Sequence, residues 1–376
     1  MTRPAPSPSP APAPAARRDA WLDNAKMALV TLVVVGHAWV LLPASHLEQS
    51  AYHALYVWHV PAFVMVTGYL SRSFAWTLPR FRSLLLTVAV PYLVFEAAMA
   101  IFRTTVGGED LDRLFLDPHW PMWYLAALFT WRLVTPIFLR IRYPLAVAVA
   151  ISLLGGIVGG DVLDISRAMG LLPFFVLGLR ATSADLDRLR TRGWRAIGAL
   201  ALVAGAIAAW FLHDAVSMEL LYWRSSYADA GYDVAGGLLA RAALILVAGV
   251  TALGALAWVP RRANWFSALG PATLIVYLFH GFVVKGVEYA DVLGWAADLP
   301  VVGFLVVTVV SVAVAPALAA PPVSRGLNPA IDPLGTIDDL NVRRWDEEIP
   351  ARGAGAALPP EAGVPIDPAR FPGNLR

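Results

Sequence analysis

Cysteine does not occur in the 376 residues, which removes disulfide frameworks, thiolate nucleophiles and cysteine metal sites from consideration. Lysine is nearly missing as well: Lys26 and Lys285 are the only two. Charged residues make up 15% of the chain against 58% hydrophobic, and the net charge is +2. So small an excess of positive charge gives no footprint for nucleic acid. So few charges also leave a single water-soluble core without enough polar surface to cover it. The mean hydropathy is strongly positive, and the apolar residues fall in blocks long enough to cross a hydrocarbon layer about 30 Å thick. The solvent for most of this chain is lipid.

Ten such blocks are expected, at about 25–43, 51–71, 83–102, 121–139, 144–160, 167–181, 194–213, 235–258, 268–288 and 299–319. The fold class is therefore an all-α integral membrane protein of about ten transmembrane helices. Residues 1–20 open with a Pro/Ala/Ser alternation that cannot bury apolar surface and reads as a disordered tail. Residues 21–320 form the membrane domain. Residues 321–376, rich in Pro, Gly, Asp and Arg, read as a largely disordered second tail. Arg17 and Arg18 are followed by Asp19, Asp23 and Lys26, without a small-residue cleavage site, so no cleaved signal is expected. Arginines crowd alternate connections: Arg72, Arg80 and Arg82, then Arg140 and Arg142, then 180–195, then Arg261 and Arg262. By the positive-inside rule these connections and both termini are cytoplasmic.

Ionisable groups inside a bilayer cost several kcal/mol by most estimates, so each needs a partner or a task. In the first span Asp23, Lys26 and His37 fall within roughly 40–60° of one another on one helix face. Eleven residues at about 1.5 Å each place His37 about 16 Å beyond Lys26, near mid-bilayer if Lys26 marks the cytoplasmic surface. An imidazole there is a candidate acid–base group. His59 in the second span is a candidate for the same work, or a packing residue. His53, nearer the outer surface, reads as structural. Tyr277 and His280 in the ninth span are candidates for holding an acceptor. Glu96 and Arg132 read as an ion pair between helices or as catalytic parts. Trp120, Trp123, Tyr124 and Trp131 read either as an interfacial aromatic belt or as a stacking surface for a sugar ring. Arg80 and Arg82 are candidates for gripping phosphates, although positive-inside topology accounts for them equally.

The run Trp21-Leu22-Asp23-Asn24-Ala25-Lys26 followed by Gly36-His37 resembles the acyltransferase-3 family of membrane O-acyltransferases. Three further stretches resemble it in the same order: His59-Val60-Pro61-Ala62-Phe63 with Gly68-Tyr69-Leu70, Met122-Trp123-Tyr124-Leu125 with Trp131-Arg132, and Tyr277-Leu278-Phe279-His280. The Asp-Asn-x-Lys opening is most similar to the fucose 4-O-acetylase-like subgroup. The resemblance implies transfer of an acyl group, usually acetyl from acetyl-coenzyme A, to a hydroxyl of a sugar or surface glycan in the bacterial cytoplasmic (inner) membrane. It implies His37 as the catalytic histidine with Lys26 in support, and an arginine pair, here Arg80 and Arg82, at the coenzyme. The family spaces that pair as Arg-x-x-Arg, whereas this chain reads Arg80-Phe81-Arg82. On this reading His37 takes the acceptor proton, Asp23 tunes the Lys26–His37 face, and no metal takes part. The alternative is a multi-span transporter or flippase, which also carries intramembrane His, Glu and Arg. Its expected internal repeat is not evident, since the Lys26-to-His37 pattern has no second copy.

Overall fold

The computed structural model describes residues 19–160 and 162–331. Of the expected tails 1–20 and 321–376, residues 1–18 and 332–376 lie outside the described residues. Ten long helices carry the fold: α1 (Ala20–Trp39), α2 (His46–Ser71), α3 (Leu78–Thr105), α4 (Trp123–Arg140), α5 (Pro144–Val158), α6 (Ile165–Arg180), α7 (Arg192–Leu212), α8 (Val234–Trp258), α9 (Thr273–Tyr289) and α10 (Pro300–Ala319). Each coincides with one expected span. Seven segments meet the length and hydropathy of a membrane crossing outright. The remaining three are α1 and α4, which carry polar residues, and α5, which has 15 residues. The last expected boundary moves: Pro321–Ile331 forms a further helix packed on α9 and α10.

Local chemistry sets the ends. Asp19 caps α1 by accepting from the Trp21 N–H, and Asp233 caps α8 by accepting from Gly236. α2 is broken at Val57–Trp58, and α3 widens into a π-type turn over Leu85–Ala89 just before Pro91, whose ring nitrogen has no proton to donate. α1 ends at Trp39, short of the expected residue 43, so His37 stands in its last turn. His37 is thus nearer one end of the helix than its middle. That end belongs with the α2 N-terminus, the α3–α4 loop and the α9–α10 loop. The opposite end carries the arginines of 72–82, 140–142, 180–195 and 261–262, and is called here the basic end.

The centre of the bundle is α1, α2 and α6, with α4 and α9 beside them. α2 and α6 approach to backbone contact through one glycine on each. A Cβ added at Gly178 would lie 1.8 Å from the Met65 carbonyl oxygen, and one at Gly68 would lie 2.0 Å from that of Phe175. Small residues at such crossings let helix backbones pack closely where lipid gives no hydrophobic drive. Gly178→Leu is expected to force α2 and α6 apart and lower the unfolding temperature in detergent, at a cost of at least about 1–3 kcal/mol. Gly193→Ala, where an added Cβ meets nothing within 4 Å, serves as the comparison and is expected to leave that temperature in place.

Candidate active site

Two histidines from distant helices meet at the end opposite the arginines. His37 of α1 and His280 of α9 are both buried, and His37 Nδ1 lies 2.9 Å from His280 Nε2. The rings are nearly parallel, 17° apart in plane. The hydrogen-bond partners fix the tautomers. His280 Nδ1 lies 2.6 Å from the Tyr277 carbonyl oxygen and 3.2 Å from that of Val276, and a carbonyl only accepts. His280 Nδ1 therefore carries the proton. A buried neutral imidazole has one N–H, so His280 Nε2 is an acceptor and His37 Nδ1–H donates to it. His37 is left with its Nε2 lone pair, the arrangement of a base held in orientation by a second group.

The loop before α4 closes over this pair. Glu96, fully buried on α3, accepts from the His119 backbone N–H at 3.0 and 3.1 Å and pairs with His119 Nδ1. The next residue, Trp120, lays its indole 4.1 Å from the His37 ring, centroid to centroid. The Tyr277 hydroxyl donates to the Pro121 carbonyl from the α9 side. Glu96 and Tyr277 thus hold one loop from two helices, and that loop sets the ring against His37.

A cavity of about 540 Å³ opens on His37, bordered by Trp120, Arg103, Lys285, Glu288 and Asp291. Its charges are organised by Glu109, which accepts from Arg103 Nε at 2.9 Å, from Lys285 Nζ at 3.2 Å and from the Tyr289 hydroxyl. Lys285 also reaches Glu288 at 2.9 Å. Both cations on the cavity wall are therefore held by carboxylates. Among the described residues no cluster of three or more His, Asp or Glu is arranged to hold a metal ion.

At the basic end a second cavity, about 310 Å³, is lined by Arg80, Arg132, Ser71, Ser73, Ser83 and Thr87. Guanidinium and hydroxyl groups together suit phosphate oxygens. A file of contacts runs inward from it. Ser71 Oγ donates to the Thr67 carbonyl at 2.8 Å, Thr67 Oγ1 pairs with the Tyr124 hydroxyl, and the Tyr124 and Tyr277 rings stand 5.7 Å apart. Tyr277 in turn neighbours His280.

Several expected roles are redrawn by these positions. Lys26 pairs with Asp23 at 2.7 Å and donates to the Gly270 carbonyl at 3.3 Å, while Asn24 donates to the carbonyls of Pro260 and Arg262. This group ties α1 to the α8–α9 connection, about 16 Å along the helix from His37, and neither Asp23 nor Lys26 lines the His37 cavity. Arg80 and Arg82 face apart: two residues along a helix they diverge by about 160°, and of the two only Arg80 lines the cavity, joined there by Arg132. Glu96 pairs with His119 and not with Arg132. Trp123 is buried beneath the Arg167 guanidinium, 4.6 Å from it, and Tyr124 is buried too, so neither presents a face to the His37 cavity or to lipid. Trp120 takes the place by His37. His59 is buried with Nδ1–H donating to the Leu55 carbonyl at 2.9 Å and its ring against Tyr56, outside the His37–His280 pair. His53 is held by the carbonyls of Gln49 and Val216. Sequence reasoning passed over His119 and Arg167. Arg167, an arginine in the first turn of an apolar span, carried a visible signal; it is anchored by Asp164 and donates to the Tyr222 carbonyl at 3.0 Å.

A histidine pair, one loop fastened across it, and a water-accessible cavity at one end of a ten-helix bundle suit a membrane enzyme that uses an imidazole as its base. The model of a family described as an acyltransferase domain matches residues 19–320, and the chain belongs to this acyltransferase-3 family. It is a multi-pass membrane acyltransferase. No curated protein and no solved structure matches it.

The Glu109 network predicts an acid response. Hydrogen bonds from Arg103, then Tyr289 and Lys285, hold its carboxyl down at about 2, against an ordinary value of 4.5. A depressed carboxylate stabilises the fold above the unfolded value, and that contribution is lost as pH falls from about 4.5 through 2. Unfolding temperature measured between pH 6 and 2.5 is expected to fall more steeply for the wild type than for Glu109→Gln, which starts lower and has this component removed.

Proposed function

We propose that the protein moves an acyl group, acetyl in the simplest case, from acyl-coenzyme A to a hydroxyl of a sugar or cell-surface glycan, in the cytoplasmic membrane of a bacterium. The observation that carries this reading is the His37–His280 contact, with its assigned tautomers, on a cavity open at the end away from the arginines. The positive-inside rule makes the basic end cytoplasmic, with both termini there, so the His37 cavity faces outward. Donor and acceptor then approach from opposite ends. The similarity to the fucose 4-O-acetylase-like subgroup in the Asp23-Asn24-x-Lys26 opening supports a sugar hydroxyl as acceptor.

A sugar hydroxyl is a poor nucleophile at neutral pH and needs a base in hydrogen-bond reach. His37 Nε2 takes its proton as the oxygen attacks the thioester carbonyl. The C–O bond forms and the carbonyl electrons move to oxygen. Their return expels the coenzyme thiolate, which takes the proton from His37. His280 keeps the imidazole in the required tautomer throughout and stabilises the imidazolium through the Nδ1–H bond. At the other end Arg80 and Arg132 hold the donor's phosphates, and the file through Thr67, Tyr124 and Tyr277 marks the way its acyl-bearing arm reaches His37. Lys26 and Asp23 act by fixing α1, and His59 by packing α2, rather than at the reacting atoms.

Transfer of radiolabelled acetyl from acetyl-coenzyme A to endogenous glycan in membranes tests the assignment at matched expression. His37→Ala is expected to lose roughly 10²–10⁴-fold of the rate, the usual worth of a general base. His280→Ala is expected to lose less, since Nδ1 then lacks its partner while Nε2 survives. Equal incorporation by wild type and His37→Ala removes His37 from the mechanism.

A further inference from the structure

Beside the His37 cavity, across the outer end of α1, lies another of about 470 Å³. We propose, on the strength of the acyl-transfer reading above, that the acceptor is an oligosaccharide, and that this second lobe holds the sugar unit next to the one being acylated. The two spaces share one wall residue, Val40, which is 54% exposed. Val40, three residues beyond His37, thus stands on the wall of both. The aromatic wall of the second lobe also stands against the residue before His37: a Cβ added at Gly36 would lie 3.9 Å from the Tyr52 ring and 3.4 Å from Leu55. A chain of sugars lying over Val40 meets His37 on one side and Tyr52 on the other.

The lining decides the chemistry. Glu48, Gln49, His53, Asp214, Tyr52 and Tyr222 surround the lobe, and no lysine or arginine lines it. The Tyr52 and Tyr222 hydroxyls lie 3.3 Å apart, joining two ring faces into one wall. Carboxylates and an amide carbonyl accept from hydroxyl groups, phenols do both, and aromatic rings cover the apolar face of a pyranose. Asp214 is paired with His213 at 3.4 Å, and with no lysine or arginine on the wall nothing grips a phosphate or a uronic acid. The pattern selects a neutral, polyhydroxylated ring. The first lobe differs in having His37 on its wall, which makes it the reacting position and the second a positioning subsite.

The proposal is tested with purified protein, acetyl-coenzyme A and two probes from one source: oligosaccharides of four to six units released from the surface glycan of the cell that makes the protein, and the monosaccharides from its complete hydrolysis. The wild type is expected to favour the oligosaccharides about 10-fold or more in kcat/KM, equivalent to about 1.4 kcal/mol. In Gln49→Ala and Tyr222→Phe that ratio is expected to fall toward one. Because the chain has no cysteine, Gln49→Cys supplies a single thiol, whose alkylation by a membrane-impermeant maleimide should slow several-fold with the oligosaccharides and not with the monosaccharides. Equal use of both probes by the wild type, or an unchanged ratio in the variants together with no protection of the introduced thiol, overturns the second subsite and leaves acyl transfer standing. Transfer to neither probe overturns this proposal together with the reading on which it rests.

Discussion

A neutral imidazole has one proton to give and one lone pair to offer, and the backbone of α9 decides which nitrogen of His280 does which. The Tyr277 carbonyl, 2.6 Å from His280 Nδ1, accepts a hydrogen bond from Nδ1–H, and the lone pair left on Nε2 then accepts one from His37 Nδ1–H. Everything else at this end of the bundle serves that sequence of two hydrogen bonds. Glu96 fastens the loop that brings Trp120 against His37, and Tyr277 both braces the loop and presents the carbonyl that starts the chain. Trp120 is half-buried on the cavity wall, and His37, His280, Glu96 and Tyr277 are buried. An unpaired polar atom there costs about 1–3 kcal/mol, so the bonds hold one another in a single arrangement.

The bundle turns this local geometry into a vectorial site. α1 carries its fixing residues near the basic end, where Asp23, Asn24 and Lys26 hold the α8–α9 connection, and His37 at the other. The close α2–α6 crossing at Gly68 and Gly178 holds these two helices in backbone contact. Arg80 and Arg132 line a cavity at the basic end and His37 one at the other, and the proposed reaction uses that separation for a donor made inside and an acceptor found outside.

The ten helices were legible because lipid imposes a length of about 20 apolar residues on each crossing, and all ten segments formed where expected. The histidines were legible one by one as buried imidazoles, with His280 on the acceptor side of the site. Their meeting was not, since 243 residues separate them and no local pattern encodes which helix faces pack together. The shared face and the axial separation of Lys26 and His37 were both legible, whereas the partners of Lys26, Asp23 and the Gly270 carbonyl, were not. Glu96 and Arg132 misled: opposite charges in two spans suggest a pair, whereas Glu96 had a nearer partner in the His119 loop. Trp123 and Tyr124 misled because an aromatic run at a helix start fits a membrane belt. Arg167 and Thr67 instead bury them, and Trp120, just before the helix, is the ring left at the site.

In the proposed reaction donor and acceptor reach one histidine pair from opposite ends of the bundle. Membrane vesicles of known orientation test it, with radiolabelled acetyl-coenzyme A outside and glycan oligosaccharide sealed inside. The account predicts label on the enclosed oligosaccharide in inside-out vesicles, where the basic end faces the donor, and none in right-side-out vesicles. Label on oligosaccharide placed on the same side as the coenzyme, or equal transfer in both orientations, would contradict it.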